Sequence, residues 1–306
     1  IIMVINMRLF IGRVISWLGK HELLNFINDK LYLKIIYYFF MGKKLNLYKP
    51  LTLNEKMQWL KIYDRKKIYP ELVDKYIAKK HIEKWIGAQY IIPTLGIWNN
   101  FDAIDFTNLP NKFVLKCTHD SGSYVVCKDK NKFDYTKAKT QLSKKLFHNY
   151  FWLGREWAYK NIKPQIIAET YLEDNIGKGL TDYKFYCFNG KVDCVLLCFG
   201  RESGNTQFYF FDRDWKLKRY NKLGKIAPTN FTLPKPKNID KMFDIAGILA
   251  TKSEAPFVRV DLYNINGKIY FGELTLYPNC GLDRNRLPET DLYFGGLVKL
   301  PLKNAM

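Results

Sequence analysis

Three charged side chains, Arg259, Asp261 and Glu273, stand in a segment whose other residues are typical of buried β-strands. Residues 257–263 alternate β-branched and aromatic residues with polar ones, which is the period of a half-buried strand. Asn266-Gly267 then predicts a two-residue hairpin turn, because both residues tolerate positive φ. Charges on such strands are costly to desolvate unless they are paired or bind an ion.

The spacing of these charges predicts an ion site on one face of the hairpin. Arg259 and Asp261 are two residues apart and therefore project from the same face. Pairing of the two strands through the turn brings Glu273 close to Asp261. Two carboxylates and an arginine on one face favour Mg²⁺ facing a phosphate. From these residues alone, a structural ion pair is an equal alternative.

A second group of polar residues lies upstream, around Lys116. This lysine is the one charge in the apolar strand FVLKCT, and the short loop HDSGS follows it and leads to another strand. The P-loop pattern GxxxxGK[ST] and the dinucleotide pattern GxGxxG are both missing from the sequence. Backbone amides of such a loop can wrap phosphate oxygens, although Gly and Ser between strands usually form only a hairpin turn.

Composition limits the class of partner. The chain has 306 residues and a formal net charge of +20, which favours polyanions such as nucleotides, sugar nucleotides, anionic glycans or an acidic membrane face. We expect no nucleic-acid binding, because the chain has no basic tail and no arginine-rich block. The six cysteines form no CxxC pair and are expected to be buried thiols in a reducing compartment, so we expect a cytoplasmic protein.

The hydrophobic periodicity predicts an α+β chain with a sheet-rich second half. Residues 1–48 are predicted to be helical, a new helix is expected to begin with Asn54 as its N-cap, and a single helix is expected over 71–87. A hairpin is predicted around Asn189-Gly190. No apolar run is long enough to span a membrane.

The first forty residues mix basic and large apolar side chains. A helical domain edge is the favoured interpretation of this segment. An amphipathic helix that touches the inner face of a membrane is the alternative.

With Lys116, HDSG, AETYLE, RVD and GELTLYP in this order, the chain resembles the ATP-grasp superfamily. It is most similar to the TupA-like ATP-grasp family of bacterial surface-polysaccharide gene clusters, from about residue 47 to 301. The resemblance implies two α+β lobes that clasp ATP, preceded by a mainly helical N-terminal region. The implied boundaries are 1–48 for the helical segment, 49–110 for a substrate-side subdomain, 111–174 for a lid subdomain and 175–306 for a C-terminal subdomain with the metal site.

The resemblance also implies an ATP site. Lys116 matches a strand lysine that contacts the nucleotide phosphates. A lid loop over those phosphates is implied for Asp120, Ser121, Gly122 and Ser123. A hinge that pairs with the adenine edge is implied for Glu169, Thr170, Tyr171 and Leu172. Glu173 matches the acid that receives the ribose hydroxyls.

At the phosphoryl end of the site, the resemblance implies that Lys184 and Arg259 are catalytic cations and that Asp261, Glu273 and Thr275 bind Mg²⁺. The family pattern usually has Asn where this chain has Thr275, and a hydroxyl is a weaker magnesium ligand than an amide carbonyl. Asn279 is an alternative ligand, and the number of metal ions stays open.

The expected function is an ATP- and Mg²⁺-dependent ligase that joins a carboxylate, such as a uronic-acid sugar, to an amino acid or small amine in capsule or surface-polysaccharide biosynthesis. Two alternatives remain, a phosphotransferase that stops at a phosphorylated product and a non-catalytic basic module for anionic glycan or membrane. The oligomeric state is left open. Anionic-substrate recognition is further expected, from charge and position, for Asp74, Lys75, Arg284 and Arg286.

Overall fold

A computed structural model describes residues 2–173, 180–200 and 204–302 of the chain. Two antiparallel sheets form its framework. The four-stranded sheet has the order β1-β4-β2-β3 and consists of β1 (Thr94–Trp98), β2 (Phe113–Cys117), β3 (Tyr124–Cys127) and β4 (Ile166–Thr170). The six-stranded sheet has the order β10-β9-β5-β6-β7-β8 and consists of β5 (Asp182–Phe188), β6 (Lys191–Phe199), β7 (Gln207–Phe211), β8 (Leu217–Lys218), β9 (Phe257–Ile265) and β10 (Lys268–Thr275).

Helices cover the sheets and form the N-terminal region. In chain order they are α1 (Ile2–Lys20), α2 (Asp29–Met41), α3 (Leu53–Tyr63), α4 (Tyr69–Val73), α5 (Ile77–Ile86), α6 (Tyr135–Leu146), α7 (Phe151–Gly154), α8 (Lys222–Ile226), α9 (Ile239–Ser253) and α10 (Pro288–Leu297). The larger apolar core packs α2 to α5 and α9 against the six-stranded sheet. A smaller core lies between the four-stranded sheet and α6. The sequence prediction of a mixed α+β chain is confirmed.

The β9–β10 hairpin turns where the sequence predicts it. Asn266 and Gly267 have φ angles of 54° and 88°, which is the backbone that a tight hairpin turn requires. A register shift follows Phe271, at Gly272, where a Cβ atom would come within 3.0 Å of the carbonyl oxygen of Asp261. Because one extra residue reverses the face of every side chain after it, this bulge places Glu273 directly opposite Asp261.

Two predictions about helix limits are wrong. Helix α3 is capped by Thr52, whose side chain accepts from the Glu55 amide, and not by Asn54, which lies inside the first turn. The helix expected over 71–87 is two helices, because the Asp74 carboxylate accepts from the amides of Tyr76 and Ile77 at 2.8 Å and starts a new helix there. The second of them, α5, ends at Gly87 as predicted.

Other sequence predictions agree with the structure. A hairpin joins β5 to β6 through Asn189-Gly190, with φ angles of 47° and 82°. All six cysteines lie within the described ranges and are free thiols. Strand β1 lies in the region 49–110, which was expected to form the substrate-side subdomain, yet it pairs with β4 in the region 111–174. The domain boundary expected between 174 and 175 lies outside the described residues.

The buried carboxylate of Asp291 links α10 to the start of α3. Asp291 accepts from both the amide and the side-chain nitrogen of Asn54 at 3.1 and 3.0 Å, and from Arg286 at 2.9 Å. The Arg286 side chain is fully buried and also pairs with Asp283 at 3.3 Å. Arg286 therefore stabilises the fold and is not available to an anionic substrate, contrary to the sequence expectation.

We predict that Asp291→Asn lowers the free energy of unfolding by about 3 kcal/mol, because the buried Arg286 guanidinium loses the closer of its two ionised partners and keeps only Asp283 at 3.3 Å. Asp244→Asn is the matched control, since Asp244 pairs with Arg213 on the surface with 60% of its side chain exposed and should cost less than about 1 kcal/mol. Urea unfolding of both variants measures the difference. Equal costs would show that the buried pair adds no more stability than the pair on the surface.

Candidate active site

Glu169 lies at the end of β4 and is held between two lysines. It is 4% exposed and accepts from Lys116 of β2 at 2.5 Å and from Lys79 of α5. Lys79 also donates to the carbonyl of Ile92 at 2.8 Å and to the hydroxyl of Thr94 at 3.0 Å. Burial raises the pKa of Glu169, but the two ammonium groups outweigh it and lower the pKa to about 2. Two cations therefore share one ionised carboxylate.

Asp261 on β9 is the second buried carboxylate between two cations. Arg259 donates two hydrogen bonds to it, each 2.6 Å long, and Lys184 of β5 donates a third. Burial raises the pKa of Asp261, whereas Arg259 and Lys184 together bring that pKa below its usual value. Burial lowers the pKa of Arg259, but pairing with Asp261 outweighs it and raises the pKa overall.

Glu273 and Thr275 extend this cluster onto β10. The Arg259 guanidinium donates to Glu273 at 3.1 Å and to the hydroxyl of Thr275 at 3.0 Å, and that hydroxyl donates to Glu273 at 3.0 Å. The sheet register places both Lys184 and Glu273 opposite Asp261, from the two neighbouring strands. The Glu273 side chain is 38% exposed, so the cluster opens to solvent at this end.

The loop after β2 is anchored at its ends and exposed at its tip. Asp120 and Ser123 are buried, and the Ser123 hydroxyl donates to the Asp120 carboxylate. Lys75 donates to the backbone carbonyls of Cys117, at 2.8 Å, and of Asp120. Ser121 and Gly122 are exposed. Of the four residues predicted to form a lid, only these two are at the surface.

The residues predicted to hold the adenine and ribose follow β4. The amide of Thr170 donates to the carbonyl of Pro93, the residue before β1, at 3.1 Å. Tyr171 and Leu172 are half-buried. Glu173 lies on the surface with Lys112 at 2.5 Å. The structure thus brings this group to the same end of the four-stranded sheet as Glu169.

The comparisons with known proteins decide the family. The model of the TupA-like ATP-grasp family matches residues 55–299, which is most of the chain. The chain belongs to this family. The ATP-grasp fold is therefore the one predicted from the sequence. No curated protein matches the sequence.

Solved structures of other proteins are similar to this chain at low sequence identity. D-alanine–D-alanine ligase from Bacillus anthracis, in complex with ATP, is 13% identical with a TM-score of 0.42, over 79% of this chain and 62% of that one. The Helicobacter pylori ligase is 14% identical with a TM-score of 0.45, over 81% and 69%. The chain spans less than two thirds of the Bacillus anthracis protein.

The oxygen donors in this ATP-grasp protein fit Mg²⁺. Among residues 2–173, 180–200 and 204–302, no group of three or more His, Cys, Asp or Glu side chains is placed to hold a metal. Mg²⁺ does not need such a cage, since it is usually held by one or two carboxylates, with phosphate oxygens and waters completing the shell. Asp261 and Glu273, which are opposite each other on β9 and β10, would be those two carboxylates, and Thr275 would add a hydroxyl. Asn279, the alternative ligand, is exposed in a turn at 278–281.

Sequence reasoning missed Lys79. It also expected Lys75 and Asp74 to recognise an anionic substrate, whereas both make contacts within the fold. Lys79 lies in the lysine-rich segment AKKHIEK, where nothing distinguishes it from its solvated neighbours until α5 packs beside the end of β4. Lys75 binds the loop after β2, and Asp74 starts α5, so neither was recognisable from charge alone. Of the residues expected to bind an anionic substrate, Arg284 is the one at the surface.

We predict that Glu169 contributes pH-dependent stability. Its ordinary pKa of 4.5 is lowered to about 2 in the folded chain, so this stability is present above pH 4.5 and is lost as the pH falls towards 2. The shift corresponds to about 3 kcal/mol. The difference in unfolding free energy between the native chain and Glu169→Gln, measured in urea, should be constant from neutral pH to pH 5 and then shrink. A difference that does not change with pH would contradict the pairing.

Proposed function

We propose that this chain is an ATP- and Mg²⁺-dependent carboxylate–amine ligase that works through an acyl phosphate. The observation that carries the proposal is the convergence of Arg259 and Lys184 on Asp261, beside Glu273, in a member of the TupA-like ATP-grasp family. Phosphoryl transfer requires fixed cations and a metal where negative charge spreads over the moving oxygens, and little covalent chemistry from the protein.

The cluster around Glu169 would hold the nucleotide. Glu169 holds Lys116 and Lys79 in place at the end of β4, from where they can turn to the phosphates. Because both oxygens of Glu169 are taken by lysines, the adenine edge would be read by backbone groups of Thr170 to Leu172. Glu173, paired only at the surface with Lys112, is free to exchange this partner for the ribose hydroxyls.

The cluster around Asp261 would carry the chemistry. An oxygen of the substrate carboxylate attacks the γ-phosphorus, the bond to ADP breaks, and the acyl phosphate forms. The amine then attacks the acyl carbon, phosphate leaves, and the amine proton passes to solvent. Arg259 and Lys184 would stabilise the charge on the phosphoryl oxygens. Mg²⁺, held by Asp261, Glu273 and Thr275, would neutralise phosphate charge.

The loop tip would protect the acyl phosphate from water. Ser121 and Gly122 are exposed, and the Gly122 Cα has open space around it, while Asp120 and Ser123 hold the ends of the loop. Such a tip can close over bound phosphates without moving its anchors. Asp120 and Ser123 thus position the lid in this proposal, and the two exposed residues make the contacts.

The proposed substrates are a uronic-acid-type sugar carboxylate and an amino acid or small amine, in capsule or surface-polysaccharide biosynthesis. The net charge of +20 supports an anionic sugar nucleotide or glycan as the carboxylate partner. Assays with ATP, Mg²⁺ and a panel of uronates and amines should release ADP and phosphate only when both substrates are present. If the γ-phosphoryl group stays on the product, the chain is a kinase, and if no pair supports turnover, the proposal fails.

We predict that Asp261→Asn lowers kcat by at least about 100-fold, because it removes one magnesium carboxylate and the anchor of two catalytic cations. The control is Asp240→Asn, whose side chain is 65% exposed and which should keep full activity. Thermal unfolding of both variants shows whether the fold is retained. Folded Asp261→Asn protein with native kcat would exclude this site.

Thr275 is predicted to set the magnesium affinity. Thr275→Asn supplies an amide carbonyl and should lower the Mg²⁺ concentration for half-maximal activity, by up to roughly tenfold. Thr275→Val removes the hydroxyl at the same volume and should raise that concentration. A magnesium titration of kcat at saturating ATP measures both. Identical titrations for the three proteins would show that this position does not contact the metal.

A further inference from the structure

The outward face of α1 carries a continuous apolar stripe. Its five residues follow one another at spacings of four and three, which places them on one side of a helix. They are between 41% and 77% exposed. We call this set, Met3, Met7, Phe10, Val14 and Trp17, the α1 stripe.

The opposite face of α1 is fixed against the body of the protein. A Cβ atom on Gly12 would lie 3.1 Å from Phe39 and Phe40 of α2, and one on Gly19 would overlap the Tyr32 hydroxyl. The same hydroxyl donates to the Leu153 carbonyl at 2.9 Å. Because the two glycines allow this close approach, α1 cannot turn its stripe inwards without losing these contacts. The stripe therefore faces outwards in the folded chain.

Basic side chains accompany the stripe. Helix α1 contains Arg8, Arg13 and Lys20 and no acidic residue. Arg8 donates to the Tyr38 carbonyl at 3.3 Å, whereas Arg13 is exposed beside the stripe. At 100° per residue, Arg13 and Lys20 lie on the same flank of the helix. One flank of the apolar stripe is thus cationic.

More basic groups gather where α1 ends. The His21 ring lies 4.5 Å from the Trp17 ring and 5.4 Å from the His148 ring, between ring centroids. Burial lowers the pKa of His148 most, and the nearby His21, Lys20 and Lys144 lower it further. Glu22 is the acidic neighbour, and it raises the pKa of His148. The balance of charge beside Trp17 is positive.

We propose that the α1 stripe and its basic flank bind the surface of an anionic lipid bilayer, with α1 lying in the plane of the interface. A helix with one apolar face and basic flanks buries that face at the boundary between headgroups and acyl chains, and its cations contact acidic headgroups. Within the described ranges, no helix is long and apolar enough to cross a membrane, so α1 rests on the surface in this proposal. The inference goes beyond the proposed ligase activity and does not depend on it.

A second copy of the chain fits the stripe less well. Pairing two stripes would bring the cations of both helices together, in a chain with a net charge of +20. A helix of 19 residues is shorter than the three to four heptads of a stable coiled coil, and α1 offers no acidic side chains to pair with the cations of its neighbour. Acidic headgroups supply that missing negative charge.

Flotation of the full chain with vesicles tests the proposal. The chain should bind vesicles of phosphatidylcholine and phosphatidylglycerol, bind phosphatidylcholine alone far more weakly, and dissociate in part at high salt. Phe10→Asp combined with Trp17→Asp should weaken binding by at least roughly tenfold, because two large apolar side chains are lost from the interface. The matched control is Ile226→Asp with Leu292→Asp, at residues that are also exposed, and it should bind as the native chain does.

A second variant tests the charges separately. Arg13→Ser with Lys20→Ser keeps the stripe and should reduce binding to the anionic vesicles several-fold. Circular dichroism confirms that each variant is folded. Unchanged binding of the Phe10/Trp17 variant, or equal binding to neutral vesicles, would overturn the proposal. The proposal would also be overturned if the native chain binds no vesicles and forms a dimer in sedimentation equilibrium that the Phe10/Trp17 variant dissociates.

Discussion

Each of the two carboxylates at the centre of the site, Glu169 and Asp261, is buried and shared by two cations. Removing a carboxylate from water costs several kcal/mol, which its ion pairs must first offset. At both carboxylates the paired cations outweigh that cost and lower the pKa, so each carboxylate stays ionised in its buried position. In our account they hold four cationic side chains in place until phosphate oxygens arrive to share them.

The fold places these groups through backbone features that are themselves simple. The Asn266-Gly267 turn fixes the register of β9 and β10, and the bulge at Gly272 then turns Glu273 towards Asp261. Strand β5 contributes Lys184 from the other side. The Glu169 cluster depends instead on the break between α4 and α5. Asp74 ends α4 and starts α5, and α5 brings Lys79 to Glu169 of β4.

The sequence predicted what depends on local spacing. The hairpin, its turn, the convergence of Arg259, Asp261 and Glu273, and the family follow from residues close together in the chain or from motifs in order. What depends on packing between distant elements was not predictable. Lys79 looks like any solvated helix lysine until α5 meets β4. Arg286 looked available to a substrate because nothing in the local sequence signals its buried pairing with Asp291.

The central claim is that the cluster around Asp261 is the metal and phosphoryl end of an ATP site. Crystals grown with a non-hydrolysable ATP analogue and Mn²⁺ in place of Mg²⁺ test it most directly, since the anomalous signal locates the metal. We expect a peak between Asp261 and Glu273, within bonding distance of the analogue's phosphates, with Arg259 and Lys184 turned towards the terminal phosphate. A bound analogue with its metal elsewhere, and both cations still on Asp261, would contradict the account.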